Sequence, residues 1–338
     1  MIEAIEKYIG TVLVGEPQIH RNMAIAPILA QTEVAVDYST LDEAYQERLI
    51  TVVEITKEGN VPNLKLLNRW SKMILIVDGE ELVGAKQNRI VNVTMLIGAN
   101  REIVIPVSCV ERGRWSYSTD AFFSEGRMMS ARLRKGAYSD ICDSLKRGGG
   151  YYPNQAKVWR KVTEEADRLG IHSCTEAMAD TYKGNAGAID DYLRAFTICP
   201  GQVGMVSFVN NKVVGVDSFG KSDTFSKMHR KLVSSYVLEA LGCRENESDA
   251  SSLKNRGQEF LDRAKRGKME SHRSVDLGTD VRLEDDQMIG SFLSFEGQIL
   301  HLALFSKDNG SSSGTRIHGP SRRRDGLLRS TLGSEEEV

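Results

Sequence analysis

Apolar and polar positions divide the chain into three stretches: short strand-like runs to about residue 117, helical spacing through the middle, then strand-like runs again. Early on come the apolar runs Ile9 to Val14 and Met23 to Leu29. The second reads as a strand with Pro27 at an edge or bulge, because proline has no N–H for a ladder. Leu41 to Leu49 reads as a short helix, with Thr40 and Glu43 spaced as a capping box. Val52 to Ile55 and Leu64 to Leu67 read as strands on either side of the turn-forming Glu58-Gly59-Asn60-Val61-Pro62. Then comes the stretch around which the chain is organised, residues 71–117. Asp78-Gly79 separates Ile74-Leu75-Ile76-Val77 from Glu80 onward and predicts a hairpin. The β-branched runs Ile90 to Ile97 and Ile103 to Val110 predict two further strands.

After Trp115 the period changes. Met129, Leu133, Ala137, Ile141 and Leu145 keep helical spacing, with Gly136 as a weak point. A second helix starts at the N-cap Asn154, buries Val158, Val162, Ala166 and Leu169, and stops at Gly170. Others are expected over Thr175–Tyr182, around Ile189 to Phe196, and over Thr224–Leu241 with Gly242 closing it. Two hairpins are expected, Val203 to Phe219 turning at Asn210-Asn211 and Ile289 to Phe305 turning at Glu296-Gly297. The charged segment 244–286 holds one expected helix, Ser251 to Lys265. The three hairpin sequences resemble one another, but their irregular spacing excludes a solenoid. The pattern predicts an α+β fold: a mostly antiparallel sheet system of hairpins with a helical middle packed on it. We expect one integrated domain over 1–306, with 244–286 as a charged insertion and 307–338 as a disordered tail poor in apolar residues.

Composition narrows the class. With 338 residues and 41% hydrophobic content there is ample core, and a net charge of −2 gives no general footprint for nucleic acid. The basic run Arg322-Arg323-Arg324 is offset by Glu335-Glu336-Glu337. No secretory leader is expected, since Met1 is followed by Glu3, Glu6 and Tyr8 and not by a basic start and an apolar run, and no apolar run approaches membrane length. Five dispersed cysteines, none in a C-x-x-C pair, point to free thiols in a reducing compartment, so a cytoplasmic location is expected.

The candidate chemistry is concentrated in the organising stretch. Glu80, Glu81, Lys86, Gln87, Asn88 and Arg89 fall within ten residues; Ser108, Cys109, Glu111, Arg114 and Trp115 follow. Glu80 and Glu81 are either a solvated pair beside a turn or a general acid/base tuned by Lys86 or Arg89. Lys86 and Arg89 suit an anion, and Gln87 and Asn88 an amide or a base edge. In a strand, Lys86 and Asn88 share a face; a protected edge explains the same residues without a ligand. Cys109 ends an apolar strand, where cysteine is more often a buried small hydrophobe, yet Arg112 and Arg114 nearby favour a thiolate. His301, alternating with Leu300, Leu302 and Leu304, should face away from them and is within reach of the same site in space. Trp115 is either core or a stacking platform. Gly201-Gln202-Val203-Gly204 precedes a strand and is no dinucleotide fingerprint, and the chain has no Walker A sequence, H-E-x-x-H or G-x-S-x-G. Nothing in the spacing of Glu80, Glu81 and Asp217 demands a metal.

The sequences DGEELVGAKQNRIVN and IPVSCVERGRWSY resemble the ARG and rhodanese-phosphatase-superfamily-associated protein domain. AKVWRKVTEEADRLGI, PGQVGMVSFVNNKVVGVDSF and ILHLALF extend that resemblance to about residues 8–306, with 244–286 as an expanded connection. The resemblance implies an α+β fold and an association with ADP-ribosylation and the processing of NAD derivatives. The expectation is therefore an enzyme acting on a phosphorylated or nucleotide-derived small molecule, with Glu81, Glu80, Cys109 and Glu111 in its chemistry. Lys86, Gln87, Asn88, Arg89, Ser108, Arg114 and Trp115 would bind the ligand; no cofactor, membrane or nucleic-acid partner is named. The alternatives are a sensor or adaptor using the same pocket, and a structural interaction module.

Overall fold

Pro27 shows how the main sheet is built. The strand Met23–Ala30 pairs on one side with two short strands, Val12–Val14 opposite residues 28–30 and Gln18–His20 opposite 23–25. Pro27 falls in the gap between them, so its missing N–H costs no bond on that side. On its other side Met23–Ala30 pairs with Gln202–Val209, a partner about 180 residues away in sequence. The sheet then continues antiparallel through Lys212–Phe219, Gln298–Ser306, Met288–Phe295, Thr279–Glu284 and Lys268–Arg273. These coordinates are a computed structural model that describes residues 2–244 and 250–307. The expected tail beyond Lys307 lies outside the described residues.

Both later hairpins form as the sequence predicts. Asn210 and Asn211 take φ 48° and 63°, and Glu296 and Gly297 take 50° and 72°, the two positive values that a primed turn requires. Helices cover both faces. Ser222–Leu241 lays Phe225, Met228, Leu232 and Tyr236 against Met205, Phe219, Ala303 and Phe305. On the other face Ile5 and Ile9 of the helix Ile2–Thr11, with Leu253 and Leu261 of Leu253–Arg263, meet Val206, Phe208, Leu302 and Leu304. The apolar run Ile9 to Val14 divides, Ile9 falling in the N-terminal helix and Val12–Val14 forming a strand. Within 244–286, two further strands join the sheet edge.

Residues 38–123 build a second unit of structure. Ile50–Glu54, Asn63–Asn68, Arg101–Cys109, Arg89–Val91, Glu81–Gly84 and Phe122–Phe123 close into a barrel. Its interior is packed with Val52, Leu64, Leu66, Leu82, Val91, Ile105, Val107 and Phe122. A three-stranded sheet, Met95–Ile97, Met73–Ile76 and Tyr38–Thr40, joins barrel to helices. Its residues alternate between the two cores: Ile74, Ile76, Met95 and Ile97 face the barrel, while Tyr38, Leu75 and Leu96 face the helices.

Three expectations change here. Asp78-Gly79 does turn, with Gly79 at φ 84°, but it joins the three-stranded sheet to the barrel and does not close a hairpin. Ile90 to Ile97 is two strands in two different sheets. Residues 85–88 are a turn between Glu81–Gly84 and Arg89–Val91, so Lys86 and Asn88 obey no strand alternation. The capping box on Leu41–Gln46 forms as predicted, Thr40 accepting from Glu43 and Glu43 from Thr40. Thr40→Ala should cost about 1 kcal/mol in urea unfolding, the usual value of an N-cap.

Candidate functional site at the barrel mouth

The turn after Met73–Ile76 carries three acids, and each is paired with a cation from a different part of the chain. Asp78 accepts from Arg134 Nε at 3.0 Å and from Thr94 Oγ1 at 2.8 Å. Arg134 also donates to Asp217 at 2.8 and 3.0 Å, and Tyr236 donates to Asp217 at 2.7 Å. Thr94, having donated to Asp78, accepts from His301 Nδ1 at 3.0 Å. His301 therefore belongs to this cluster, stacked on Phe219, and its partners are Thr94, Asp78 and Asp217. It shares a face with Ala303 and Phe305, opposite Leu302 and Leu304 as expected, although Leu300 lies in the helix-side core. Glu80 accepts from Lys231 Nζ at 2.6 Å and from the Val77 amide, and Lys231 also meets Asp42 at 2.7 Å. Glu81 accepts from Arg127 Nε at 2.7 Å and from Asn88 Nδ2 at 3.2 Å.

Electrostatics follow the pairing. Burial pushes the Asp78 carboxyl up, but Arg134 and His301 outweigh it and hold the group down at about 2. Burial prevails at Glu80 and Glu81, whose affinities for a proton are raised despite Lys231 and Arg127. Glu80, Glu81 and Asp217 go to separate cations. Among the described residues no three histidines, cysteines or acids group as metal ligands.

A second set converges beside the 85–88 turn. Glu111 Oε2 accepts from the Asn88 amide at 3.1 Å and from Arg114 at 2.6 and 2.9 Å. Arg114 also donates to Ala85 O, Ser116 O and Asn88 Oδ1, which engages all five of its N–H groups. Ser108 donates to Asn92 Oδ1 at 2.7 Å. Lys86 turns away, donating to Glu58 O at 2.7 Å beneath the rings of Trp115 and Tyr117.

Strand register identifies a third set. Arg89 pairs with Cys109, and Val91 with Val107, so Arg89 and Cys109 continue the inward-facing row of the barrel. Glu54, two residues past Val52, adds to the same layer. One end of the apolar barrel is thus closed by a polar layer. Cys109 Sγ donates to Gln87 Oε1 at 2.9 Å, and Arg89 Nη1 donates to the same oxygen at 3.1 Å. Gln155 clamps the Cys109 backbone, accepting from its N–H at 2.9 Å and donating to its carbonyl at 2.8 Å. Arg89 lies 5.9 Å from the ring of Trp115, and Arg112 lies 5.8 Å from the ring of Trp159. Trp115 is 49% exposed, so it is a cover and not core. Burial prevails at Cys109 and raises its thiol above the ordinary value, although Arg89 and the Glu111 backbone pull toward the thiolate. This layer has unused bonding capacity. Arg89 is fully buried, yet its Nε and Nη2 have no hydrogen-bond partner; nor has Glu54 Oε1, 3.5 Å from Nη2.

The family model for the ARG and Rhodanese-Phosphatase-superfamily-associated Protein domain matches residues 11–305. The chain belongs to that family. No curated protein and no solved structure matches it. In this member of the ARG and rhodanese-phosphatase-associated domain family, the acids of the turn and the groups around Arg89 form separate clusters. Asp78 and Glu80 are tied to helices through Arg134 and Lys231, and Glu81 to Arg127 in the loop before Ala131, while Arg89, Gln87, Cys109 and Trp115 form the mouth. Glu54, Gln155 and Trp159 complete the mouth and were not singled out from sequence. Arg134 was missed as well, although a cation beside Leu133 and Ala137 on the inward stripe of a helix was a readable signal.

Proposed function

We propose that the protein binds a small anionic molecule at the barrel mouth, as a sensor or adaptor. The observation that carries this reading is the buried Arg89 guanidinium, whose Nε and Nη2 make no hydrogen bond although Nη2 lies 3.5 Å from the Glu54 carboxylate, since a buried donor left unsatisfied costs about 1–3 kcal/mol until an acceptor meets it. Arg89 takes the anion in a fork, and the half-exposed Trp115 is the stacking surface for a planar ring. A phosphorylated nucleoside of the ADP-ribose type joins those two features, and the family resemblance supports testing it first. In this reading Glu80, Glu81 and Glu111 hold the scaffold, because their oxygens already serve Lys231, Arg127 and Arg114.

The enzymatic reading rests on Cys109, whose sulfur shares the Gln87 oxygen with Arg89. It makes Cys109 the nucleophile toward the bound ligand.

Thermal shift with ADP-ribose, NAD and inorganic phosphate tests the binding. We expect ADP-ribose to raise the melting temperature, by mass action worth about 2.7 kcal/mol at a hundredfold excess over Kd. Arg89→Gln and Trp115→Ala should each remove most of that shift; Trp115→Ala, at a half-exposed site, is the safer variant for folding. An unchanged shift in both would exclude the mouth. Cys109→Ser separates the two readings: loss of ligand breakdown with binding retained makes the protein an enzyme, and no breakdown by the wild type makes it a sensor.

A further inference from the structure

At the far edge of the nine-stranded sheet, remote in sequence from the barrel mouth, a cavity of about 50 Å³ is lined by Cys142, Lys146, Lys268, Glu270, His272, Arg282 and Glu284. On this measure one water needs about 10–15 Å³, so the space holds a few waters or one compact oxyanion. Its walls differ in burial. Lys268 and Lys146 form an exposed rim, with side chains 76% and 46% accessible. Arg282 and Cys142 are buried.

Arg282 is the informative residue. Asp280 accepts from its Nε at 2.6 Å, and its guanidinium lies 5.1 Å from the ring of Tyr138 and 5.6 Å from that of Tyr151. These contacts fix the plane and leave the outer fork free: Nη1 and Nη2 are both buried and have no hydrogen-bond partner. A buried guanidinium fork with two open N–H nitrogens is a bidentate oxyanion donor set without its acceptor. The carboxylates on the rim are already committed. Glu284 binds Lys146 at 2.7 Å and Lys307 at 2.9 Å, and Glu270 binds Lys268 at 3.0 Å. The four cations Lys146, Lys268, Arg282 and Lys307 outnumber the three carboxylates Asp280, Glu270 and Glu284, so an anion meets a net positive site.

We propose that this cavity is an anion site for a phosphate group, taken in the fork of Arg282 with Lys146 and Lys268 as point charges at the rim. Phosphorus NMR titration of the full chain with inorganic phosphate, at constant ionic strength in chloride, should show saturable binding. Arg282→Lys, which keeps the charge but not the fork, should weaken it tenfold or more, and Lys268→Ala about threefold. The titration is repeated in an Arg89→Gln background: saturable binding that persists there and is weakened by Arg282→Lys belongs to this cavity, and binding lost with Arg89 belongs to the barrel mouth. Competition by phenyl phosphate would mark the terminal phosphate of a larger molecule as the natural group, and phosphate binding without such competition would mark the free ion. Absence of saturation in the wild type, or equal affinity in Lys268→Ala and Arg282→Lys, would overturn the proposal and leave a cavity filled by water alone.

Discussion

Arg134→Met is expected to destabilise the fold by about 3–5 kcal/mol, because it takes from two buried carboxylates the guanidinium they share and leaves only His301 and neutral donors beside them. Arg134 is 1% exposed and is the cation that Asp78 and Asp217 share. Methionine replaces its volume, so the loss measures charge and not a void. His301 and Tyr236 remain beside Asp217 but cannot supply a bidentate fork. The triple variant with Asp78→Asn and Asp217→Asn should recover a good part of the loss, which a purely steric defect would not allow. pH provides the second readout. Asp78 is held down from 3.8 to about 2, so its contribution is in place above the unfolded value. It disappears as pH falls through the window from about 4 to 2, and amounts to about 2 kcal/mol. Urea midpoints of the wild type should fall over that window for this reason. In Arg134→Met the Asp78 part of that slope should be missing; an unchanged slope would show that Arg134 does not hold the carboxyl ionised.

The elements that the sequence predicts well are those whose cause is local. Thr40 with Glu43, Asn154 before its helix, and the pairs Asn210-Asn211 and Glu296-Gly297 act within four or five residues, and all form as read. Asp78-Gly79 failed as a hairpin for the converse reason. Glycine's positive φ reverses the chain, but which strand Met73–Ile76 then finds is a tertiary choice. It takes Tyr38–Thr40 in parallel and Met95–Ile97 antiparallel. The edge strand Lys268–Arg273 went unseen because Lys-Met-Glu-Ser-His-Arg, polar and half exposed, carries no hydrophobic alternation. The candidate site divides in the same way. Its density of ionisable groups was visible, and so was Cys109 at a strand end. The partners were not, because Arg127, Arg134 and Lys231 lie 46, 56 and 151 residues from the acids they neutralise. Strand alternation, applied to residues 85–88, misdirected Lys86; a turn sends that side chain to Trp115 and Tyr117.

Glu165→Gln should make the protein more stable, by an amount that grows with pH to about 3 kcal/mol. Glu165 lies on Gln155–Arg168, 2% exposed, and accepts from Ser130 Oγ at 2.7 Å. Burial raises its carboxyl from 4.5 to about 7, against the opposing pull of Ser130 and of Arg168, 3.7 Å away. A raised folded value means that the native state favours the protonated acid. Stability from this group is therefore complete below about 4.5 and is lost as pH climbs to about 7, after which the deficit is constant. Glutamine keeps the shape and the acceptor for Ser130 but cannot ionise. The variant and the wild type should have matching urea midpoints near pH 4.5, diverge across neutrality, and run parallel above pH 8. A difference that does not depend on pH would show that Glu165 is already ionised at acid pH. The position matters because Ser130 caps the helix Ala131–Lys146, accepting from the Leu133 amide, and that helix carries Arg134. An ionised Glu165 thus acts on the same joint between barrel and sheet that Arg134→Met would break, and the gain from glutamine should shrink if Arg134 is already lost.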